Sequence, residues 1–242
     1  MSSAPFWRAF VDFFLPPKCP FCEDLTDSFF SGRPCPSCLS RIKFFSPPRC
    51  PRCGIGFPSP SEQDHLCSGC LSGEPPFAKA RSLCPYEGLI AEIISRFKFG
   101  GVASLAKPLG ILLAEYQDPE FPFSGIDLLI PVPLHTRRLR ERGFNQSLLL
   151  AREVSRRRSI PLNFTALRRS RQTQPQTHLS GPQRQKNVRG AFEVRSAAGL
   201  VEKRVLLIDD VFTTGATVQE CAKALLDAGA KSVDVLTLAR VA

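Results

Sequence analysis

Arg204-Val-Leu-Leu-Ile-Asp-Asp-Val-Phe-Thr-Thr-Gly-Ala-Thr-Val218 is the stretch that decides the fold. Val205 to Ile208 form a short continuous apolar run, the pattern of a central parallel strand buried on both faces. Asp209 and Asp210 stand where that strand emerges, and Val211 leads toward a turn of small residues: Thr213, Thr214, Gly215, Ala216 and Thr217. Val218, Cys221, Ala222, Leu225 and Leu226 then recur at helical spacing until Gly229. Strand, tight loop and helix start in this order make backbone N–H groups converge on one point. The helix dipole and the threonine hydroxyls favour an anion there, most simply a phosphate. Two carboxylates beside such a cradle call for a ligand that also donates hydrogen bonds. Ribose 5-phosphate is one, with ring hydroxyls for Asp209 and Asp210, and the same carboxylates can help place Mg²⁺. The plain alternative is a strand-to-helix turn capped by Thr217; the coincidence of two acids with Thr-Thr-Gly-x-Thr weighs against it. A Gly-x-x-x-x-Gly-Lys-Thr/Ser pattern is absent, which argues against a nucleoside triphosphatase.

Upstream, Ile126 to Ile130 is a second apolar strand running into Pro131, Val132, Pro133, Leu134 and His135. Arg137, Arg138, Arg140 and Arg142 follow closely, and arginine binds oxyanions bidentately without losing its charge. Next come Arg142-Gly-Phe-Asn-Gln-Ser147 and a helical pattern through Leu148, Leu149, Ala151 and Val154 to about Arg158. The net charge is +10, but residues 1–75 hold seven basic and seven acidic side chains. From Arg137 to Arg189 there are fourteen Lys or Arg against only Glu141 and Glu153, a local balance of +12. Polyphosphate, a nucleic-acid backbone, or both would meet that segment. Any one of these arginines reads equally well as part of a solvated basic face.

Eight of the ten cysteines form four Cys-x-x-Cys pairs: Cys19 and Cys22, Cys35 and Cys38, Cys50 and Cys53, Cys67 and Cys70. Two residues between thiolates let a tight turn present both sulfurs to one tetrahedral zinc. Twelve residues separate Cys22 from Cys35 and thirteen separate Cys53 from Cys67, which suits two closed, structural four-thiolate sites, about two zinc ions in all. Disulfides would need an oxidising compartment. Which pairs share a zinc is left open by spacing. His65 could replace a thiolate but reads as a solvated loop residue, and Cys84 and Cys221 read as buried small apolar residues. Prolines crowd the module, so the metal should supply much of its folding energy.

A chain of 242 residues with 43% hydrophobic and 22% charged residues is composed like a globular protein, not a fibrous or disordered one. No run approaches the roughly 18 to 20 apolar residues of a membrane span, so none is expected, and the cytoplasm is the expected compartment. Pro5 to Leu15 reads as a short amphipathic helix docking Phe6, Trp7, Phe10 and Phe14. Further elements are expected as strands at Phe77–Tyr86, Asn163–Arg168, Ala191–Arg195 and Val233–Ala239, and helices at Leu89–Phe99 and Ser104–Tyr116. The boundary is placed at Pro75-Pro76, giving a metal module over 1–75 and a ligand-binding domain over 76–242.

The string Leu-Leu-Ile-Asp-Asp-Val-Phe-Thr-Thr-Gly-Ala-Thr resembles the phosphoribosyl-pyrophosphate signature of type I phosphoribosyltransferases. With Pro-Val-Pro-Leu, Arg-Gly-Phe-Asn-Gln-Ser, Gln174, Leu179, Arg184, Asn187, Ala191-Phe192 and the cysteine pairs, nearly the whole chain resembles the ComF family. The resemblance implies an α/β domain of the type I phosphoribosyltransferase fold, a mostly parallel sheet flanked by helices, behind an N-terminal zinc ribbon. By it, Asp209 and Asp210 are the catalytic acids, and Val211, Thr213, Thr214, Gly215, Ala216 and Thr217 hold the ribose 5-phosphate. Pro131, Val132, Pro133 and Leu134, with Arg137, Arg138 and Arg142, receive the pyrophosphate, Mg²⁺ accompanies the ligand, and Arg169 to Arg189 form a hood. It further implies a link to DNA uptake in natural transformation, with single-stranded DNA or competence proteins as partners. Transfer of phosphoribose to an unidentified nucleophile, as in an amidophosphoribosyltransferase, is the metabolic alternative. Nothing in the residues names an acceptor or settles whether transfer is catalysed, and a pure ligand sensor reads the same way.

Overall fold

The computed structural model describes residues 16–26, 32–57, 63–171 and 187–241. The expected helix at Pro5 to Leu15 lies outside the described residues, as do Gln174, Leu179 and Arg184 of the expected hood. Two single-turn helices, α1 (Pro36–Ser40) and α2 (Ser68–Ser72), belong to the cysteine module. They precede β1 (Ala80–Pro85), α3 (Gly88–Phe99), α4 (Ala106–Glu115), β2 (Leu128–Pro131), α5 (Thr136–Arg142) and α6 (Gln146–Arg158). Then follow β3 (Leu167–Arg169), β4 (Phe192–Val194), β5 (Arg204–Phe212), α7 (Ala216–Asp227) and β6 (Ser232–Arg240).

Four strands form one sheet in the order β1-β6-β5-β2, every neighbouring pair parallel. The apolar run of β5 explains its central place: Leu206 and Ile208 pack into one core cluster while Val205 and Leu207 pack into the other. All four are fully buried, each contributing about 1.5–3 kcal/mol of apolar transfer. α3 presents Leu89, Ile90, Ile93, Ile94 and Phe97 to the first cluster at helical spacing. α6 adds Leu150, Ala151 and Val154 to the same cluster, and α4 approaches α6 closely at Gly110, where a Cβ would lie 2.5 Å from that of Glu153. α7 covers the opposite face through Val218, Cys221, Ala222 and Leu225.

Two expectations are corrected, and one helix is added. The strand expected at Val205 to Ile208 continues to Phe212, because β6 keeps offering ladder partners as far as Arg240, opposite Phe212. The two acids therefore sit inside the ladder and not beyond its end. Of the segments expected near Asn163–Arg168 and Ala191–Arg195, the first meets the parallel sheet only at its start, where Leu162 bridges Leu129 of β2 in parallel and Asn163 N donates to Leu129 O at 2.9 Å; β3 and β4 themselves form a separate antiparallel pair. The added helix is α5, in the arginine-rich stretch behind Leu134, to which the sequence reading assigned no element. His135 caps it by accepting from Arg137 N at 3.3 Å, Arg137 pairs with Glu141 one turn on at 3.0 Å, and Gly143 closes it at φ +79°.

The cysteine module lies along the outer edge of β1. Ala80 N donates to Arg52 O at 2.7 Å and Phe45 N to Leu83 O at 2.8 Å, so backbone groups of that edge strand are taken up by the module. Asp118, whose side chain is 1% exposed, joins the two regions by pairing with Arg49 of the module and with Arg81 of β1, each at 2.8 Å. Cys84 and Cys221 are buried, as expected.

Candidate functional site

β2 stops at Pro131, whose register partner is Ile208, and Val132 N makes a last hydrogen bond to Ile208 O at 3.0 Å. Beyond that point β5 is flanked by β6 alone, and a cavity of about 1080 Å³ opens beside it. Such crevices at the carboxyl ends of parallel strands are where α/β sheets bind ligands. Asp209, Asp210, Val211, Thr213, Gly215 and Thr217 line it from one side; Val132, Pro133, Leu134, Arg137, Arg138 and Arg142 line it from the other. Of the expected residues, Pro131 is buried in β2, Thr214 is exposed with its hydroxyl accepting from Ala216 N at 3.5 Å, and Ala216 is the buried first residue of α7. These three do not line the cavity. Arg140 is exposed and also points elsewhere.

The turn before α7 is glycine-dependent. Gly215, the N-cap in place of Thr217, has φ +78°, and a Cβ there would lie 2.6 Å from Phe212 Cζ. Phe212 is held in turn by Arg240, whose guanidinium sits 4.2 Å from the ring centroid and donates to Cys53 O at 2.8 Å.

Asp209 Oδ1 accepts from Ser147 Oγ at 2.8 Å and from Asp210 N at 2.9 Å. Asp210 Oδ1 pairs with Lys98 Nζ at 2.8 Å. Burial, with the adjacent Asp210 carboxylate second, pushes Asp209 up to about 7. Burial also lowers Arg142, which lies 5.2 Å over the ring of Phe99, and lowers Arg169, which lies 5.3 Å over Phe192. The cavity thus combines two carboxylate acceptors with a lysine and desolvated arginines, an arrangement suited to a ligand with both hydroxyl or metal-borne positive groups and phosphate oxygens. Arg169, the first residue of the expected hood, lines it too, as do Lys98, Phe99, Gln146 and Ser147, to which sequence reasoning gave no role. Lys98 left one signal, a basic residue between two phenylalanines ahead of Gly100-Gly101.

The cysteines gather in sequential fours, Cys19, Cys22, Cys35, Cys38 and Cys50, Cys53, Cys67, Cys70, with the sulfurs of each set within 4.8 Å of one another. Sγ separations of 3.8 Å (Cys19–Cys38), 3.8 Å (Cys22–Cys35) and 3.6 Å (Cys53–Cys67) match a tetrahedron with metal–sulfur bonds of about 2.3 Å, and far exceed a disulfide. Both sets are structural zinc sites in composition and geometry. His65 belongs to neither and stacks on Phe57, ring centroids 4.0 Å apart.

Arg156, Arg157 and Arg158, at the end of α6 within the basic segment, are committed locally. Arg156 and Arg157 both pair with Glu153 at 2.7 Å, and Arg158 donates to the carbonyl oxygens of Ala114 and Tyr116 and lies 4.4 Å over Phe123.

Residues 10–71 match the double zinc ribbon domain and residues 145–242 the phosphoribosyl transferase domain. The chain is 34% identical to the DNA utilization protein YhgH of Escherichia coli over 192 residues, covering 78% of this chain and 82% of that one. It is 34% identical to Competence protein F of Haemophilus influenzae (72% and 78% covered) and 31% identical to Competence protein ComFC of Bacillus subtilis (85% and 83%). The chain belongs to the ComF family. Its α/β domain has the phosphoribosyltransferase fold, and its N-terminus is a double zinc ribbon. Among solved structures, glutamine phosphoribosylpyrophosphate amidotransferase from B. subtilis matches with a TM-score of 0.38 at 23% identity over 57% of this chain, which spans about a quarter (26%) of that one. Purine phosphoribosyltransferase from Pyrococcus horikoshii matches with a TM-score of 0.33 at 20% identity, covering 55% of this chain and 71% of that one. No helix among the described residues is long and apolar enough to cross a membrane.

Proposed function

We propose that this ComF-family protein binds phosphoribosyl pyrophosphate with Mg²⁺ in the cavity beside β5 and uses that ligand in the handling of single-stranded DNA. The observation that carries the reading is the Asp209–Asp210 pair, held by Ser147 and Lys98 between a glycine-dependent turn and a basic helix. In this reading Thr213, Thr217 and the start of α7 take the 5-phosphate, and the two carboxylates accept from the ribose hydroxyls. Mg²⁺, which prefers carboxylate and phosphate oxygens, would be held by Asp209, Asp210 and the diphosphate, and would offset charge on the leaving group. Arg137, Arg138 and Arg142, with residues 132–134, receive the diphosphate. The relatives' names supply the DNA context, and the basic helix α5 at the cavity mouth gives it an electrostatic footing. In the domain division we favour, residues 1–75 hold zinc and 76–242 hold the ligand.

Titration calorimetry on the parent and on Asp209→Asn/Asp210→Asn tests the reading. Each charge-assisted hydrogen bond contributes about 1.5–3 kcal/mol, so loss of the pair should weaken binding about a hundredfold or more. Unchanged affinity would mean that the ligand sits elsewhere. Pyrophosphate release measured with bases and amines as acceptors separates a transferase from a binding protein.

A further inference from the structure

The first residue of α6 has a hydrogen-bonding group that meets no partner among the described residues. Gln146 is 1% exposed and lines the cavity. Its Oε1 accepts from Arg142 Nη1 at 3.2 Å, and because a guanidinium can only donate, this contact fixes which end of the amide faces Arg142. The Nε2 end is thereby turned the other way, and it is buried without a hydrogen-bond partner among the described residues. Buried donors are nearly always satisfied, because an orphan forfeits its bonds to water and gains none in return. A cavity-lining orphan is explained when its acceptor arrives with a ligand.

The surroundings specify the acceptor. Gln146 opens a helix of thirteen residues, Gln146–Arg158, whose start carries the positive end of the helix dipole. That start is locked against residues 132–135, since Asn145 Nδ2 donates to Val132 O at 3.1 Å while its Oδ1 accepts from Leu148 N at 3.4 Å. Desolvated Arg142 lies on one side, and on the other Ser147 already uses its hydroxyl on Asp209. A helix start, a guanidinium and an unpaired amide N–H all favour one thing, an anionic oxygen.

We infer that Gln146 is a ligand-binding residue whose Nε2 donates to a phosphoryl oxygen of the diphosphate, with Arg142 acting both as a second donor and as the clamp that orients the amide. The inference rests on the reading of the cavity as a phosphoribosyl pyrophosphate site. It assigns Gln146 to the diphosphate half and not to the ribose 5-phosphate half.

The test measures binding of inorganic pyrophosphate, ribose 5-phosphate and phosphoribosyl pyrophosphate, each with Mg²⁺ at pH 8, to the full-length parent, Gln146→Glu and Gln146→Leu. Gln146→Glu keeps an oxygen for Arg142 but replaces the donor with a negative acceptor; Gln146→Leu removes the amide. Loss of one charge-assisted bond should lower affinity for both diphosphate-bearing ligands about tenfold or more. Ribose 5-phosphate affinity should stay within about twofold, and the thermal midpoint of Gln146→Leu should stay close to the parent's, because removal of the unsatisfied donor offsets the acceptor that Arg142 loses. Undiminished pyrophosphate binding in both variants overturns the inference while leaving the cavity reading intact. So does an equal loss for ribose 5-phosphate, or a lowered midpoint in both variants, since either marks a structural role. A parent that binds none of the three ligands overturns the cavity reading and this inference with it.

Discussion

Asp209→Asn should stabilise the ligand-free protein, by an amount that depends on pH. Burial and the neighbouring Asp210 carboxylate raise Asp209 from 3.8 to about 7. A carboxyl that holds its proton more tightly folded than unfolded contributes fully to stability below its unfolded value near 4. That contribution is lost as pH rises toward the folded value near 7, because the unfolded chain ionises first. Roughly three pH units at about 1.4 kcal/mol each set a ceiling of about 4 kcal/mol. The carboxylate lines an open cavity, where solvent screens it, so about 2 kcal/mol is the expected size. Asparagine preserves an Oδ1 to accept from Ser147 Oγ and from the Asp210 N–H, so the substitution removes the charge and keeps the local bonds. Urea unfolding of zinc-loaded parent and variant between pH 5 and 8 gives the difference directly. It should grow by about 1 kcal/mol from pH 5 to 7, the rest of the effect being already present at pH 5, and then level off. A difference that is flat across that range, or a parent more stable than the variant at pH 8, would refute the electrostatic account of the site.

Metal analysis should return about two zinc ions per chain; Cys19→Ser with Cys22→Ser should reduce this to about one, and His65→Ala should leave both, as the grouping of the sulfurs requires. Gly215→Ala combines a φ of +78° with a methyl 2.6 Å from Phe212, so ribose 5-phosphate affinity should fall about tenfold or more and stability by about 1 kcal/mol or more, read by calorimetry and thermal melts. If single-stranded DNA binds at the cavity mouth, log affinity should fall with log salt by about 0.7 per phosphate neutralised, and neutralising Arg137, Arg138 and Arg140 should flatten that slope. Replacing Arg156, Arg157 and Arg158 should leave the slope unchanged and lower stability instead, because those arginines serve Glu153 and backbone carbonyls. A salt slope that responds to the second set and not to the first would reverse the assignment.

What could be read from the chain was whatever rests on local pattern. The run Val205 to Ile208, the acids behind it and the small-residue turn announced β5, the loop and α7, because burial on two faces and a tight turn leave composition no freedom. The full length of β5 was not legible: ladder hydrogen bonds to β6 continue past Asp209 regardless of side-chain polarity, whereas a hydrophobic pattern stops at the first carboxylate. α5 was invisible for the opposite reason. Thr136 to Arg142 has almost no apolar periodicity, and what holds it is a cap, an ion pair and a C-terminal glycine. Lys98 is separated from Asp210 by more than a hundred residues and meets it only because the last turn of α3 lies beside the carboxyl end of β5. Nothing near position 98 records that encounter. The local charge balance of the basic segment likewise does not record that Arg156 and Arg157 are engaged by Glu153, one turn back.

The same distinction bears on how the metal module relates to the domain behind it. Proline-rich loops tied by thiolates read as a self-contained appendage, yet the contacts bind it into the sheet. β1 is an edge strand, and its Ala80 N–H and Leu83 carbonyl are satisfied by Arg52 and Phe45 of the module. Cys19 and Cys38 are buried in the core cluster on one face of the sheet, Cys50 and Cys53 in the cluster on the other. Asp118, nearly inaccessible, is compensated by one arginine from each side, and removing either would leave a buried charge underpaired. From the second cysteine set the chain of contact runs through Cys53 O to Arg240, from Arg240 to the ring of Phe212, and from Phe212 to the spot where Gly215 has no room for a Cβ. Zinc held by Cys50, Cys53, Cys67 and Cys70 would therefore do more than fold an N-terminal ribbon. It would hold in place the Cys53 carbonyl that accepts from Arg240, and through it one wall of the turn that starts α7.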